Sequence, residues 1–330
     1  MGYVATASHT TLRQRAAVLA RIRGFFAERG VLEVETPALS CAGVPDPALE
    51  SITATVLRLG HGPCYLHTSP EFAMKRLLAA GSGDIYQICR VFRDDELGRW
   101  HQPEFTLLEW YRVGWDEQQL MTEVETLLGA VLATASKEPA AKRHRSVRVR
   151  YADALHDALH AGPDAPTPVL VERLTAAGID VPANLGHDAA LDLAFSTAVV
   201  ASFDRAAFTF VYDYPASQAA LARLKTQVPP VAARFEVFSG GIELANGFHE
   251  LADANEQRRR FLAELAVRRA AGRHVPPLDE ELLAALAAGL PDCAGVAVGV
   301  DRLVALATGH NDVASAMSFA HSEPGGSATV

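Results

Sequence analysis

The chain has 330 residues, 49% of them apolar, and a formal net charge of −9. That length and composition suit one large or two ordinary domains around a buried core, and the acidic balance argues against a duplex-binding module, which must neutralise phosphates with a basic surface. Neither a signal peptide nor an apolar run of spanning length is visible, so a cytoplasmic protein with no membrane contact is expected.

In chain order, Leu12, Leu19, Ile22 and Phe26 recur at helical spacing up to Gly30, which predicts an amphipathic helix closed by a glycine. Val31 to Thr36 alternates and stops at Pro37, the pattern of an edge or interface strand. A further strand is predicted over Ile52 to Leu59, and Ser69-Pro70-Glu71 opens a helix running to Ala80, with Pro70 at its first position and Glu71 favoured there by the helix dipole. Cys41, Cys64, Cys89 and Cys293 form no C-x-x-C pair and no ladder of short spacings, so they read as reduced core thiols rather than a zinc knuckle or a disulfide scaffold.

The stretch from Arg90 to Arg112 reads as two strands joined by a long charged loop. Side chains alternate across a strand, so Phe105, Leu107, Glu109 and Tyr111 share one face and bring an aromatic ring, a carboxylate and a phenol into one row. The preceding strand delivers Arg93, and the loop Asp94 to Glu104 is too long and polar for a simple hairpin. It is expected to close over a ligand with an anion and a flat ring.

Glu117 to Ala135 is a second amphipathic helix, after which residues 136 to 207, rich in alanine, proline and charge, read as a helical insertion with helices near Tyr151 to Leu159, Val169 to Ala177 and Ala189 to Ser202. The basic run Lys142-Arg143-His144-Arg145, followed by Arg148 and Arg150, reads as a solvated face. A strand is predicted over Phe208 to Pro215. Phe235 to Phe238 and Ile242 to Asn246 then form a hairpin around Ser239-Gly240-Gly241. A turn at Ser239-Gly240 sets Glu236 directly opposite Glu243, and one at Gly240-Gly241 makes them diagonal neighbours. Either way both acids share a face, a geometry that favours a divalent cation with oxygen ligands, Mg²⁺ being the usual one beside a nucleotide.

Helices follow over Asn255 to Ala271 and Asp279 to Ala288. In the closing strand–helix unit, Gly295, Ala297 and Gly299 leave one strand face nearly bare, so that a flat ligand has room against it. Asp301 is expected to cap the following helix and Arg302 to project beside the bare face.

Together these segments resemble motifs 1, 2 and 3 of the class II aminoacyl-tRNA synthetases, in their lysyl version: the helix and strand ending at Pro37, FRDDE…HQPEFTLLEWY, and GVAVGVDR. ELANGFHEL at Glu243 to Leu251 and SPE at Ser69 to Glu71 extend the resemblance over almost the whole chain. It implies an α/β (α+β) fold: a class II catalytic core with a mostly antiparallel sheet flanked by helices, one domain over residues 1–330 with the insertion at about 136–207. The motif 1 segment begins within a dozen residues of Met1, so no anticodon-binding domain is expected before it. A stand-alone core of this kind resembles the elongation factor P β-lysine ligases, and Ala297 agrees, since that group has alanine where lysyl-tRNA synthetases tend to have glycine.

The resemblance implies an ATP-dependent ligase that activates (R)-β-lysine, or lysine, as an adenylate and passes it to a lysine of elongation factor P, with ATP and Mg²⁺ required. It further implies a homodimer and no tRNA substrate. Carried over residue by residue, Arg93 holds the α-phosphate, Phe105 stacks on adenine and Arg302 contacts adenine and the γ-phosphate. Asp94, Asp95, His101, Gln102, Leu244 and Gly299 complete the nucleotide site, and Glu236 and Glu243 bind Mg²⁺. Glu71, Glu109 and Glu250 meet the ammonium groups of the amino acid, while Ser69, Pro70, Tyr111, Asn246, Phe248 and Ala297 shape its pocket. The chain departs from the family pattern at Asp94-Asp95, where Asn-Glu is usual, and at Gln102, where Asn is usual. Two other readings are a core that charges tRNA with lysine and a non-catalytic paralogue that binds an amino acid. The joint presence of Arg93, Arg302, Glu236 and Glu243 speaks against the second.

Overall fold

The computed structural model describes residues 5–57, 62–94, 96–135 and 145–322. Eleven strands are named: β1 (Leu32–Glu33), β2 (Leu39–Ser40), β3 (Thr53–Ala54), β4 (Cys64–Leu66), β5 (Ile85–Phe92), β6 (Glu104–Val113), β7 (Arg145–Arg150), β8 (Ala207–Pro215), β9 (Val231–Ser239), β10 (Ile242–His249) and β11 (Cys293–Gly299). Eight of them form one sheet in the order β1-β5-β6-β11-β10-β9-β8-β7, and β2-β4-β3 form a small second sheet. The large sheet is antiparallel except at its two edges, where β1 runs parallel to β5 and β7 parallel to β8.

Alternation along the central strands assigns the two faces. Leu108, Trp110, Val296 and Val298 point into an apolar core shared with helices α1 (His9–Ala27), α3 (Glu117–Ala135) and α9 (Val300–Thr308). In that core Phe26 stacks on Tyr86 at 4.4 Å between ring centres and meets Trp110 edge-on at 5.3 Å. The opposite face is covered at one end by α2 (Glu71–Ala79), α7 (Ala254–Ala270) and α8 (Glu280–Gly289). At the other end it is covered by α4 (Tyr151–Leu159), α5 (Thr167–Ala176) and α6 (His187–Ala194). Between these two covers lies a cavity of about 940 Å³.

Several expectations change in detail. The strand expected over Val31 to Thr36 is only the two residues of β1, and of the stretch Ile52 to Leu59 the described residues, which end at Leu57, contribute only Thr53–Ala54. Asp301 does not cap α9. Its Oδ1 pairs with Arg15 Nη1 at 2.6 Å and its Oδ2 accepts the Thr106 amide at 2.6 Å, so this carboxylate ties the end of β11 to α1 and β6. The insertion is not purely helical, because Arg145 to Arg150 form β7, an edge strand. Arg148 and Arg150 share one side of the strand, where Arg148 lies 5.7 Å over the Phe210 ring and donates to Thr122 Oγ1. Lys142, Arg143 and His144 lie outside the described residues. Of the cysteines, Cys64 and Cys293 are buried and Cys89 half-buried, but Cys41 is exposed rather than in the core; all are free thiols.

One backbone position controls how β9, β10 and β11 pack. A Cβ on Gly247 would lie 2.5 Å from Phe235 Cζ and 2.9 Å from Val296 Cβ. Gly247→Ala is therefore expected to lower stability by about 1–3 kcal/mol, as overpacked core sites do, read as a fall in the denaturant midpoint.

Candidate active site

Strand register builds the cavity floor. One row across the sheet reads Gln87, Glu109, Ala297, Asn246, Glu236, and the next reads Ile85, Tyr111, Gly295, Phe248, Arg234. The bare strand face is thus divided. Gly295, Ala297 and Gly299 all border the cavity, but a Cβ on Gly295 would lie 2.6 Å from Glu250 Oε1 and collide with the Tyr111 ring, so that glycine also makes room for protein side chains.

At one end the wall is acidic. Glu109 is buried and accepts from Tyr111 Oη at 2.6 Å and from Ser69 Oγ at 2.7 Å. The helix α2 starts one residue later than expected, at Glu71, and Ser69 Oγ also accepts the Glu71 amide at 3.0 Å. Glu71 and Glu250 are held by one buried ammonium, Lys75 Nζ, at 2.6 and 2.5 Å. Burial and the charge of Glu71 push the Glu109 carboxyl up to about 7, with the Tyr111 and Ser69 hydrogen bonds opposing. Burial pushes Glu250 up to about 8, with Lys75 opposing. Burial alone would lower Lys75, but Glu250 and Glu71 outweigh it and keep the ammonium charged. Asn246 Oδ1 is buried and accepts no hydrogen bond among the described residues. An acidic, partly unsatisfied pocket of this kind suits a ligand bearing ammonium groups, because buried charges need partners.

The other end is basic and aromatic. The Arg93 guanidinium lies 5.1 Å from the centre of the Phe105 ring, with loose contacts to the Thr68 carbonyl at 3.4 Å and Glu96 at 3.5 Å. Arg302 donates to the Trp100 carbonyl at 3.1 Å and to the Glu243 carbonyl at 2.9 Å, so the loop after β5 and the hairpin β9–β10 both aim it. His101, Gln102, Leu244 and Gly299 border the same space. Burial and then Arg302 lower the His101 pKa, which keeps the imidazole neutral near pH 7. Gln102 is buried and holds the chain near the C-terminus, accepting the His321 amide at 2.7 Å. Asp94 stands beside the cavity, its amide bonded to the Glu50 carbonyl at 2.9 Å, and is not part of the wall. Asp95 lies outside the described residues.

The hairpin resolves the open register. Ser239 pairs with Ile242, so the turn is Gly240-Gly241, and a bulge at Leu244 then shifts Asn246 opposite Glu236. Glu236 and Glu243 both border the cavity. Arg234 Nη2 and Tyr214 Oη hold the two oxygens of Glu236 at 2.5 and 2.7 Å, and Glu243 is half-exposed. Burial of the Glu243 carboxyl and then the Glu236 charge raise its pKa, with Arg302 and Arg93 opposing. No cluster of three or more metal-ligating side chains occurs among the described residues. Two carboxylates on one cavity face are residues that could hold a divalent cation whose other oxygen ligands come from phosphates and water.

Sequence reading missed Lys75, Arg234 and Tyr214, which hold the site's carboxylates from behind or beside the cavity. Lys75 sits four positions after Glu71, a spacing that for a Glu and a Lys in one helix signals a pair; nothing local announced that Glu250 would be its second partner.

A family model for class II tRNA synthetases (D, K and N) matches residues 1–323. This chain belongs to the class II tRNA synthetase family. The motifs singled out in the sequence are that family's, and the large, mostly antiparallel sheet flanked by helices is the α+β architecture expected for this class II core. Similar proteins include those of Salmonella paratyphi B, Salmonella heidelberg and Salmonella typhimurium, each named elongation factor P–(R)-β-lysine ligase. Each is 46% identical over 327 residues, covering 95% of this chain and 96% of the relative. No helix among the described residues is long and apolar enough to cross a membrane.

Proposed function

We propose that this class II protein is an ATP-dependent ligase that activates (R)-β-lysine as an adenylate and transfers it to the ε-amino group of a lysine of elongation factor P. The carrying observation is the single cavity whose acidic end, at Glu71, Glu109 and Glu250, adjoins an Arg93–Phe105–Arg302 end. The names and 46% identity of the relatives support the same reading.

In the first step the amino-acid carboxylate attacks the α-phosphorus of ATP and pyrophosphate leaves. Arg93 balances the charge that accumulates on the α-phosphate, Phe105 and Arg302 grip the adenine, and the acids hold the ammonium groups so that the carboxylate points toward Arg93. Glu236 and Glu243 would hold Mg²⁺, which when bound neutralises phosphate charge. In the second step the ε-amine of the acceptor lysine attacks the acyl carbon, the carbon–oxygen bond to the phosphate breaks, and AMP leaves. We place the protein in the cytoplasm, as a homodimer without a tRNA substrate. The net charge of −9 favours a protein acceptor, and exposed Leu32 on the sheet-edge strand β1 suits a dimer contact.

The test is mass spectrometry of elongation factor P incubated with the protein, ATP and each lysine isomer. A mass gain on the factor with (R)-β-lysine is expected; aminoacylation of tRNA with no gain on the factor would overturn the reading. The pocket also sets a pH dependence. A diammonium ligand binds the ionised forms of Glu109 and Glu250, whose pKa values burial raises to about 7 and about 8, so affinity is full above that range and falls as protons return. The amino-acid KM in ATP–pyrophosphate exchange should accordingly rise as pH drops from about 8 to about 6, by up to tenfold per unit for each proton displaced.

A further inference from the structure

Lys75 is the one fully buried ammonium beneath the acidic pocket among the described residues, and its side chain is 1% exposed. It does not border the cavity, yet both of its partners do: Glu71 at 2.6 Å, from its own helix, and Glu250 at 2.5 Å, from the segment after β10. The other titratable groups around it are Glu109 and Tyr111 on β6 and Cys293 on β11. We propose that Lys75 is a positioning and specificity-determining residue, which fixes Glu71 and Glu250 in place and sets the ionised pocket at two negative charges, the number a diammonium amino acid neutralises. This rests on the function proposed above.

The count is simple. Above the raised pKa values of Glu109 and Glu250, about 7 and about 8, the three carboxylates and one ammonium sum to minus two, opposite two ammonium groups on the ligand. Without Lys75, three close carboxylates in a dry pocket keep a proton to still higher pH. That proton then competes with the ligand, and the two acids lose the ion that fixes their orientation. Lysine supplies a charge that is independent of pH in the working range, because its partners hold it ionised.

The experiment is a double-replacement cycle, Lys75→Met, Glu71→Gln and both together. Affinity for (R)-β-lysine and for 1,5-diaminopentane is measured by calorimetry, and ATP KM by pyrophosphate exchange. Lys75→Met alone should weaken both amine ligands tenfold or more, move the acid limb of binding to higher pH, and leave ATP KM unchanged. In the Glu71→Gln background the pocket carries one negative charge too few, so removing Lys75 there should strengthen amine binding. A residue that only supports the fold would weaken binding in both backgrounds. The same direction in both, or an unchanged affinity in the folded single variant, overturns the proposal. If the single variant does not fold, Glu71→Gln against the double variant decides alone. Wild-type protein that binds the diamine but shows no lysine-dependent exchange would sink the proposed function while the cycle still decides the role of Lys75; wild-type protein that binds neither amine sinks both.

Discussion

Arg93→Ala is expected to lower kcat/KM for ATP–pyrophosphate exchange by about 10²–10³-fold, or roughly 3–4 kcal/mol of transition-state stabilisation, the size seen when one preorganised donor to a developing charge is removed. The guanidinium suits that task because it is not committed elsewhere. Its contacts to the Thr68 carbonyl and Glu96 are long, at 3.4 and 3.5 Å, and it stands over the Phe105 ring at the edge of the cavity. For the same reason its loss leaves no buried partner stranded, and the unfolding midpoint should stay where it is. Lysine at this position keeps the charge but not the planar fork, so Arg93→Lys should fall between the two. Exchange activity of Arg93→Ala within a few-fold of wild type would remove Arg93 from the phosphate site.

Glu109→Gln should act on the other substrate. Replacing the carboxylate by an amide of the same shape removes a charge-assisted contact to the amino-acid ammonium, about 2–3 kcal/mol, or roughly 10²-fold in amino-acid KM. ATP KM should be unchanged, since the nucleotide end of the cavity is built from other residues. Stability should hold or rise slightly. Burial already drives the Glu109 carboxyl toward its neutral form, so an uncharged side chain relieves a desolvation cost; the glutamine oxygen accepts from one of Tyr111 Oη and Ser69 Oγ, and the other hydroxyl must turn to accept from the amide nitrogen. Parallel rises in both KM values, or an unfolding midpoint lowered by many degrees, would show that Glu109 is structural rather than a ligand contact.

Much of this site was legible because strand alternation is a local property. The row Phe105, Leu107, Glu109, Tyr111 and the spaced small residues of β11 can be read from a period of two alone, and the structure puts both rows on the cavity face. The helices α3, α7 and α8 were legible to within a residue from their apolar spacing; in the structure Asp253 accepts the Asn255 and Glu256 amides of α7, and Asp279 accepts the Leu282 amide of α8. Strand β7 was missed because its arginines match a solvated helix face as well as a strand edge, and pairing with β8, more than fifty residues later, decides between the two.

What the sequence by itself determined is the inventory: which faces are apolar, which strands carry acids and arginines, and, through its motifs, the family. What only the tertiary structure decided is which of those groups share a partner. Asp301 has the residue type of a helix cap, but the approach of Arg15 and the Thr106 amide claims both of its oxygens. Glu71 and Glu250 each look like a free acid for the substrate, yet both meet the buried ammonium of Lys75. The hairpin register depended on a bulge at Leu244 that no local pattern specified. The physical reason is the same in each case. A buried charge is placed by its counter-charge, and contacts between residues remote in sequence exist only once the sheet has brought their strands and helices together.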